Sequence, residues 1–248
     1  MLKRERQAFI LREINLHNKV LSSDLCGQMD VSEDTIRRDL VELSDEGKLI
    51  KVHGGALSKS FHASSNSHHV YSLDEKKTIA NKASGLITDG MFVLTTGGTT
   101  IIELAKALPI ELRATFFTGS LQAAREYIHH PNIEVIFIGD RISKSSQITV
   151  GGEAISRIRQ IKADICFLGV NAMDIEHGLT DNDWEVVQVK KAIIESSKKV
   201  VALAISEKLN TAQRLQICRP EEIDILITEQ CPEDELLIPY KNSGIEIL

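Results

Sequence analysis

No stretch of the 248 residues approaches the roughly 18 uninterrupted apolar residues that a membrane-spanning helix needs. The opening MLKRERQAFILREI interleaves charges with apolar residues, where a secretory signal would carry an apolar core of about 7 to 15 residues. Neither a membrane span nor a signal peptide is expected. Cysteine is scarce too: Cys26, Cys166, Cys218 and Cys231 are scattered with no C-x-x-C pair, and Cys166 lies in the apolar run ADICFLGV. That usage predicts buried or incidental thiols in a reducing cytoplasm, with no metal site, cofactor or disulfide framework.

A third absence is local. Between Gly47 and Leu73 there is no acidic residue, while Lys48, Lys51, Lys59 and the histidines His53, His62, His68 and His69 all fall there. The net charge of the chain is -6, yet residues 1–60 balance 10 basic against 10 acidic side chains and residues 61–248 carry 19 against 25. The acidity therefore belongs to the second part. The break marks a basic edge followed by a linker, because LSKSFHASSNSHHVYS is polar and Ser/His-rich with no helical or strand period. With 42% apolar residues the chain has enough to bury a core, and 248 residues leave room for a small domain plus a medium one.

In the first sixty residues the pattern predicts three short helices. Residues 3–17 place Phe9, Ile10, Ile14 and Leu16 at near-helical spacing; Ser22 or Ser23 is expected to cap DLCGQM, and Ser32 to cap EDTIRRDLVELSDEG, which Gly47 stops. Met29, Asp30 and Val31 form a tight turn, with Val31 expected to reach into the core. On the third helix Ile36, Leu40 and Leu43 make the buried stripe, so Asp34, Thr35, Arg38 and Glu42 face away and Arg37 sits on the flank. Two readings of the arginines stand side by side. Arg38 either pairs with Asp34 or Glu42 on a solvated face, or presents its guanidinium to a guanine edge or a phosphate. The following KLIKVHGGA reads as a basic hairpin with a Gly-Gly turn, the wing of a winged helix beside a recognition helix.

The run Leu21 to Ala56, with S-x-x-T-I-R-R-D-L at Ser32 to Leu40 and V-H-G-G-A at Val52 to Ala56, resembles the DNA-binding domain of the DeoR family of bacterial transcriptional regulators. The resemblance implies a double-stranded DNA operator as partner. It implies Ser32, Thr35, Arg37 and Arg38 as major-groove candidates, and Lys51, His53, Gly54 and Gly55 as wing contacts. The local basic edge, not the global charge, would then meet the DNA.

From Asp74 onward, short runs rich in Val, Ile, Leu and Phe (MFVLTT, TFFTGS, EVIFIGD, ADICFLGV, KVVALAIS, IDILITE) alternate with helical patterns such as IIELAKAL, LQAAREYI and VVQVKKAIIESS. This predicts an α/β domain with a mainly parallel sheet covered on both faces, and a ligand site beyond the carboxyl ends of its strands. In LTTGGTTIIELAKAL the strand ends near Leu94. Gly97 and Gly98 then allow close approach, and Thr96, Thr99 and Thr100 bring hydroxyls to a helix N-terminus, which suits a phosphate; a plain glycine turn is the alternative. Ser120, the segment FLGVNAMD with Asn171 and Asp174, and the cluster Asp183, Glu185 and Lys190 lie at similar positions, either as separate capped turns or converging on one crevice.

The family resemblance extends to the C-terminus. It implies a sensor domain with the fold shared by ribose-5-phosphate isomerase and CoA transferases, so the fold class expected is α/β: a winged helix-turn-helix over 1–57, a linker over 58–73 and an α/β sensor over 74–248. It further implies a phosphorylated sugar effector. Three loops depart from the family's usual forms. Thr95 stands where D-S-G-[ST]-T begins with an acid, Asn171 replaces the acid of G-x-D-G-I-D, and Ala204 to Lys208 reads A-I-S-E-K in place of A-D-x-S-K. Lys190, Lys208, Asp183 and Glu185 remain. Loss of two carboxylates argues against proton-moving catalysis, so no catalytic residue is expected. The reading is a cytoplasmic transcriptional regulator, of repressor type, acting on sugar metabolism genes as a homo-oligomer (dimer or tetramer). The alternatives are a sugar-phosphate isomerase or deaminase carrying an appended DNA-binding domain, and a DNA-binding module whose second half only oligomerises.

Overall fold

The computed structural model describes residues 1–17, 19–58 and 70–248, in two compact units, Met1–Tyr71 and Ser72–Leu248. Most of the expected linker, residues 59–69, lies outside the described residues, as do Lys59, His62, His68 and His69. Its two ends belong to regular elements: Ser58 closes a strand and Leu73 opens a helix.

The first unit runs α1 (Lys3–His17), β1 (Lys19–Leu21), α2 (Ser22–Met29), α3 (Glu33–Asp45), β2 (Leu49–Val52) and β3 (Gly55–Ser58). Ile10, Ile14, Leu25, Ile36, Leu40, Leu43 and Leu49 pack into one core, with Val31 half-buried against it. Each such side chain contributes about 1.5 to 3 kcal/mol. The short strand β1 has no period long enough to read, and it changes two expectations. It pairs antiparallel with β3, giving the sheet order β1-β3-β2. It also runs directly into α2, so the N-cap is Leu21 with no side-chain cap, and the Ser22 amide is satisfied by the Gly54 carbonyl at 2.8 Å. The expected serine cap of α2 is thus replaced by a main-chain bond. Likewise the wing turns at His53 and Gly54, not at Gly54 and Gly55. Gly55 is a buried strand residue, and a Cβ there would sit 2.0 Å from the Val20 carbonyl oxygen.

The second unit begins with α4 (Leu73–Ser84), β4 (Phe92–Thr95), α5 (Thr99–Lys106), β5 (Thr115–Thr118), α6 (Leu121–Tyr127) and β6 (Glu134–Phe137). The hairpin β7 (Arg141–Ser143) and β8 (Ile148–Val150), helix α7 (Gly152–Ile158) and β9 (Ile165–Gly169) follow. Then come β10 (Ala172–Asp174), β11 (Gly178–Asp181), α8 (Trp184–Glu195), β12 (Val200–Leu203), a 3-10 turn (Ser206–Lys208), β13 (Leu215–Cys218), β14 (Ile225–Ile227), α9 (Ile238–Asn242) and β15 (Glu246–Ile247). Seven strands form a sheet in the order β15-β14-β12-β9-β4-β5-β6, and every pairing in it is parallel. All six apolar runs read as strands are in it. From β4 the chain steps outward to β5 and β6; from β9 it steps the other way. The sheet's direction therefore switches between β4 and β9, the place where an open α/β sheet leaves a crevice.

Candidate nucleic-acid interface and effector crevice

Helix α3 is built as the sequence implies. Ser32 caps it by accepting the Thr35 amide, and its hydroxyl lies 2.9 Å from that of Thr35. Ile36, Leu40 and Leu43 are buried. Arg37 and Arg38 are exposed, and Arg37 forms no ion pair among the described residues. Arg38 does take the partner the solvated-face reading gives it: its Nη2 lies 3.2 Å from Asp34 Oδ2, with side chains 79% and 69% exposed. Magnitude decides what that pair means. An exposed i,i+4 pair is worth about 0.3 to 0.5 kcal/mol, whereas a bidentate arginine-guanine contact discriminates by about 1 to 3. Asp34 can hold Arg38 in place without competing with a base. Lys51 and His53 are exposed on the wing beside Gly54, while Gly55 offers no free surface.

Asp39 was missed by pattern reading. It is 2% exposed and takes both Arg6 Nε and Arg6 Nη2, the second at 3.2 Å from Oδ1, which fastens α1 to the back of α3. A charge inside an apolar stripe was the available signal.

In the second unit the strand ends converge. The Thr96 hydroxyl accepts the Gly169 amide at 2.8 Å and faces the Phe167 carbonyl, so it ties β4 to β9. A Cβ on Gly169 would lie 2.7 Å from the Gly97 carbonyl oxygen, and one on Gly97 would lie 2.5 Å from the Ile148 methyl. The two loops touch through their glycines. Gly98 adopts φ 116 as the N-cap of α5, and the first intrahelical amide bond is Ile102 to Gly98. The amides of Thr99, Thr100 and Ile101 precede it and so have no intrahelical acceptor.

Beside Gly169, the Val170 carbonyl accepts Lys208 Nζ at 2.6 Å. Around that ammonium stand Lys76 from the first turns of α4, Lys190 from α8, and Asp181 from the end of β11, all 8% exposed or less together with Lys208. Lys190 Nζ is 3.0 Å from Asp181 Oδ2, which also accepts the Asn171 amide at 2.9 Å. Burial, then the charges of Lys76 and Lys190, push the Lys208 ammonium down to about 7, against a smaller opposing effect of Asp181. Burial pushes Lys76 down to about 8, opposed by Glu75, Glu103 and Glu207. Burial alone would raise the Asp181 carboxyl, yet Lys190 beside it and the amides of Asn182 and Asp183 hold it below the usual carboxylate range. Lys190 and Lys208 thus share Asp181, while the carboxylates of Glu75, Glu103 and Glu207 act on Lys76.

Of the residues picked from sequence, the structure gathers Asn171, Lys190 and Lys208 here, and adds Lys76 and Asp181. Others make local hydrogen bonds and ion pairs. Ser120 caps α6 through the Ala123 amide, and Asp183 caps α8 through Glu185 and Val186. Asp174 closes its own hairpin turn on the Glu176 amide and on His177, whose imidazole it holds above its ordinary value by hydrogen bond and charge. Glu185 pairs with Arg141. Thr96 is occupied as described. Lys76 sits in LDEKKT, where nothing but burial distinguishes it from Lys77.

Comparison with known proteins gives two family matches: a DeoR-like helix-turn-helix domain over residues 6–61 and a DeoR C terminal sensor domain over residues 72–230. The chain is 31% identical to the HTH-type transcriptional regulator GolR of Listeria innocua over 98% of its length and 97% of that protein's. It is 31% identical to the HTH-type transcriptional repressor GlcR of Bacillus subtilis, covering 100% and 96%. It is 30% identical to the glycerol-3-phosphate regulon repressor of Haemophilus influenzae, covering 92% and 90%. Among solved structures it resembles eIF2B beta from Chaetomium thermophilum (TM-score 0.48, 16% identity, 68% of this chain and 56% of that one). It also resembles ribose 5-phosphate isomerase A from Methanocaldococcus jannaschii (TM-score 0.39, 21% identity, 55% and 54%), so it spans just over half the length of either. No described helix is long and apolar enough to cross a membrane.

Proposed function

The chain belongs to the DeoR family of transcriptional regulators, and from that membership we propose that it represses sugar metabolism genes by binding a double-stranded operator through α3 and the β2–β3 wing, under the control of a phosphorylated sugar. The observation that carries the effector half is the meeting of Lys190 and Lys208, two buried ammonium groups, at the switch point beside Asp181, with buried Lys76 adding its charge to that of Lys208. Buried ammonium groups in excess of carboxylates are costly unless an anion joins them. The free amides of Thr99, Thr100 and Ile101 supply a second set of donors to the same anion. One relative, the glycerol-3-phosphate regulon repressor, is named for a phosphorylated compound.

The protein is a regulator and not an enzyme. Its named relatives are regulators and repressors. Asn171 carries no acid, and Lys190 keeps the neighbouring Asp181 ionised, a poor proton acceptor at neutral pH.

One winged helix buries about 600 to 1,000 Å² on DNA, too little for high specificity, so the regulator acts as a homo-oligomer that presents two heads to repeated half-sites. The test is thermal: a phosphosugar series should raise Tm and shift operator affinity about 5- to 150-fold, while the unphosphorylated parents do neither. Pentose and hexose phosphates that leave both readouts unchanged would sink the effector half of the proposal.

A further inference from the structure

The second unit leaves one sheet edge open. Strand β6 pairs only with β5 among the described residues, and three of its four residues are exposed. It lies in the run IEVIFI at residues 133–138, which has strong strand propensity and one charge, Glu134. Natural edge strands are blunted by charge, proline or shortness; in β6 the only charge is Glu134 at its start, and Val135, Ile136 and Phe137 carry neither charge nor proline. The opposite edge, β15, is two residues long and begins with exposed Glu246.

Apolar surface continues from β6 onto both faces of the sheet. Ile136 lies in register with Phe117, whose ring packs 5.2 Å from that of Phe92, and Phe92 is 44% exposed. On the other face Phe137 is 39% exposed, and α6, held there by the stacking of Tyr127 on Phe116, ends in Ile128 at 65%. Six of the ten exposed large apolar side chains in this unit's described residues fall between residues 110 and 142. An uncovered run of this kind is an aggregation hazard, so something covers it.

We propose that a second copy of this chain covers it, the two β6 strands pairing antiparallel across a two-fold axis at Ile136 to join the sheets. The main chain fits that operator. The amides of Glu134 and Ile138 point inward to the Ala114 and Thr118 carbonyls of the β5 side. By alternation, Val135 and Phe137 turn both their N–H and C=O groups outward. A two-fold axis makes adjoining copies of one strand antiparallel, and centring it on Ile136 sets Val135 opposite Phe137 of the copy. That is the hydrogen-bonded kind of pair, with each residue donating and accepting once. The single charge does not meet itself, since Glu134 falls opposite Ile138 of the copy. A standard interface uses about 20 to 30 residues a side, the extent of the segment 110–142 and more than β6 alone supplies. The two-fold also suits the repeated half-sites of the proposed DNA reading, on which the choice of a like partner rests.

The test uses the full chain. Wild type is expected at a multiple of the chain mass by light scattering. Val135→Pro removes an outward donor without touching an internal bond, and Ile136→Lys opposes two like charges on the axis; each should halve the mass while circular dichroism stays that of wild type. In a Cys231→Ser background, Ile136→Cys should oxidise to a covalent dimer, because a non-hydrogen-bonded antiparallel pair brings the two Cα atoms to about 4.5 Å. A strict monomer, or an oligomer that ignores all three changes, overturns the proposal. Operator binding separates the two readings: a wild type that selects a DNA sequence but assembles elsewhere refutes this interface alone. A β6-paired dimer with no DNA preference refutes the DNA reading alone.

Discussion

Raising the pH from 7 to 8 should weaken effector binding about tenfold. In the free protein burial, with the charges of Lys76 and Lys190 behind it, brings Lys208 down to about 7, and burial brings Lys76 down to about 8 against the pull of Glu75, Glu103 and Glu207. A bound phosphate reverses that cause, and both should then stay protonated. If only the doubly protonated site binds, the competent fraction falls from roughly 0.45 at pH 7 to roughly 0.045 at pH 8, a loss of about 1.4 kcal/mol. The ligand does not blur this, since a phosphate's second pKa near 6 leaves it dianionic throughout. Calorimetry in two buffers of different ionisation enthalpy should count about 0.6 protons taken up per ligand at pH 7 and about 1.4 at pH 8. The free protein responds with the opposite sign. A lysine whose folded value lies below its unfolded value binds fewer protons when folded, so stability rises with pH from about 7 toward 10.4. Affinity that stays flat from pH 7 to 8.5, with no proton uptake, would refute the anion site; Lys208→Met should both weaken binding and flatten its pH slope.

Arg38→Ala should cost roughly 1 to 3 kcal/mol of operator affinity and relax specificity at one base pair, with Tm unchanged because the Asp34 pair it breaks contributes only about 0.3 to 0.5; unaltered operator affinity would contradict the docking. Lys51→Ala should weaken all sequences alike and lower the salt slope by about one, checked by anisotropy titrations across salt. Asp39→Ala strands Arg6 against α3. Because Arg6 is 13% exposed and regains some water, the cost should be roughly 2 to 3 kcal/mol, below the 3 to 5 of a fully buried pair, and amide exchange across α1 and α3 should accelerate about 30- to 150-fold.

What the sequence made legible follows from period and chemistry. The stripe Ile36, Leu40, Leu43 and the cap at Ser32 are local signals, and the structure keeps them. The six apolar runs became the parallel sheet because strands buried on both faces need no alternation. Strand β1 was invisible, since three residues carry no period and its pairing with β3 is non-local. The crevice was half legible. Loops with glycine and threonine mark strand ends, but whether a hydroxyl is free depends on which strand lies alongside. Thr96 is occupied by Gly169, 73 positions away, and Ser120 by its own helix. Lys76 joins the crevice only through the packing of α4, so no pattern in LDEKKT separates it from its neighbour Lys77, which lies exposed beside Asp74.

The amide at Asn171 and the lysines around Asp181 have one physical consequence in common. Asn171 lies beside Asp181, so an acid there would have given the neighbouring ammonium groups a second carboxylate. Here Asp181 serves Lys190 and Asn171 at once, and Lys208 has a carbonyl oxygen in place of a counter-ion. Burial therefore makes Lys208 and Lys76 release protons more readily than free lysines, and on the proposed reading a bound anion would reverse that. A site arranged this way is poor at moving protons between carbon atoms but responsive to occupancy. Binding free energy appears as changed stability and changed protonation of the elements that meet there, α4, α8 and the turn after β12. An effector can act on DNA affinity only by distinguishing two states of the protein, and the packing of those three elements around Lys208 is where the difference should arise.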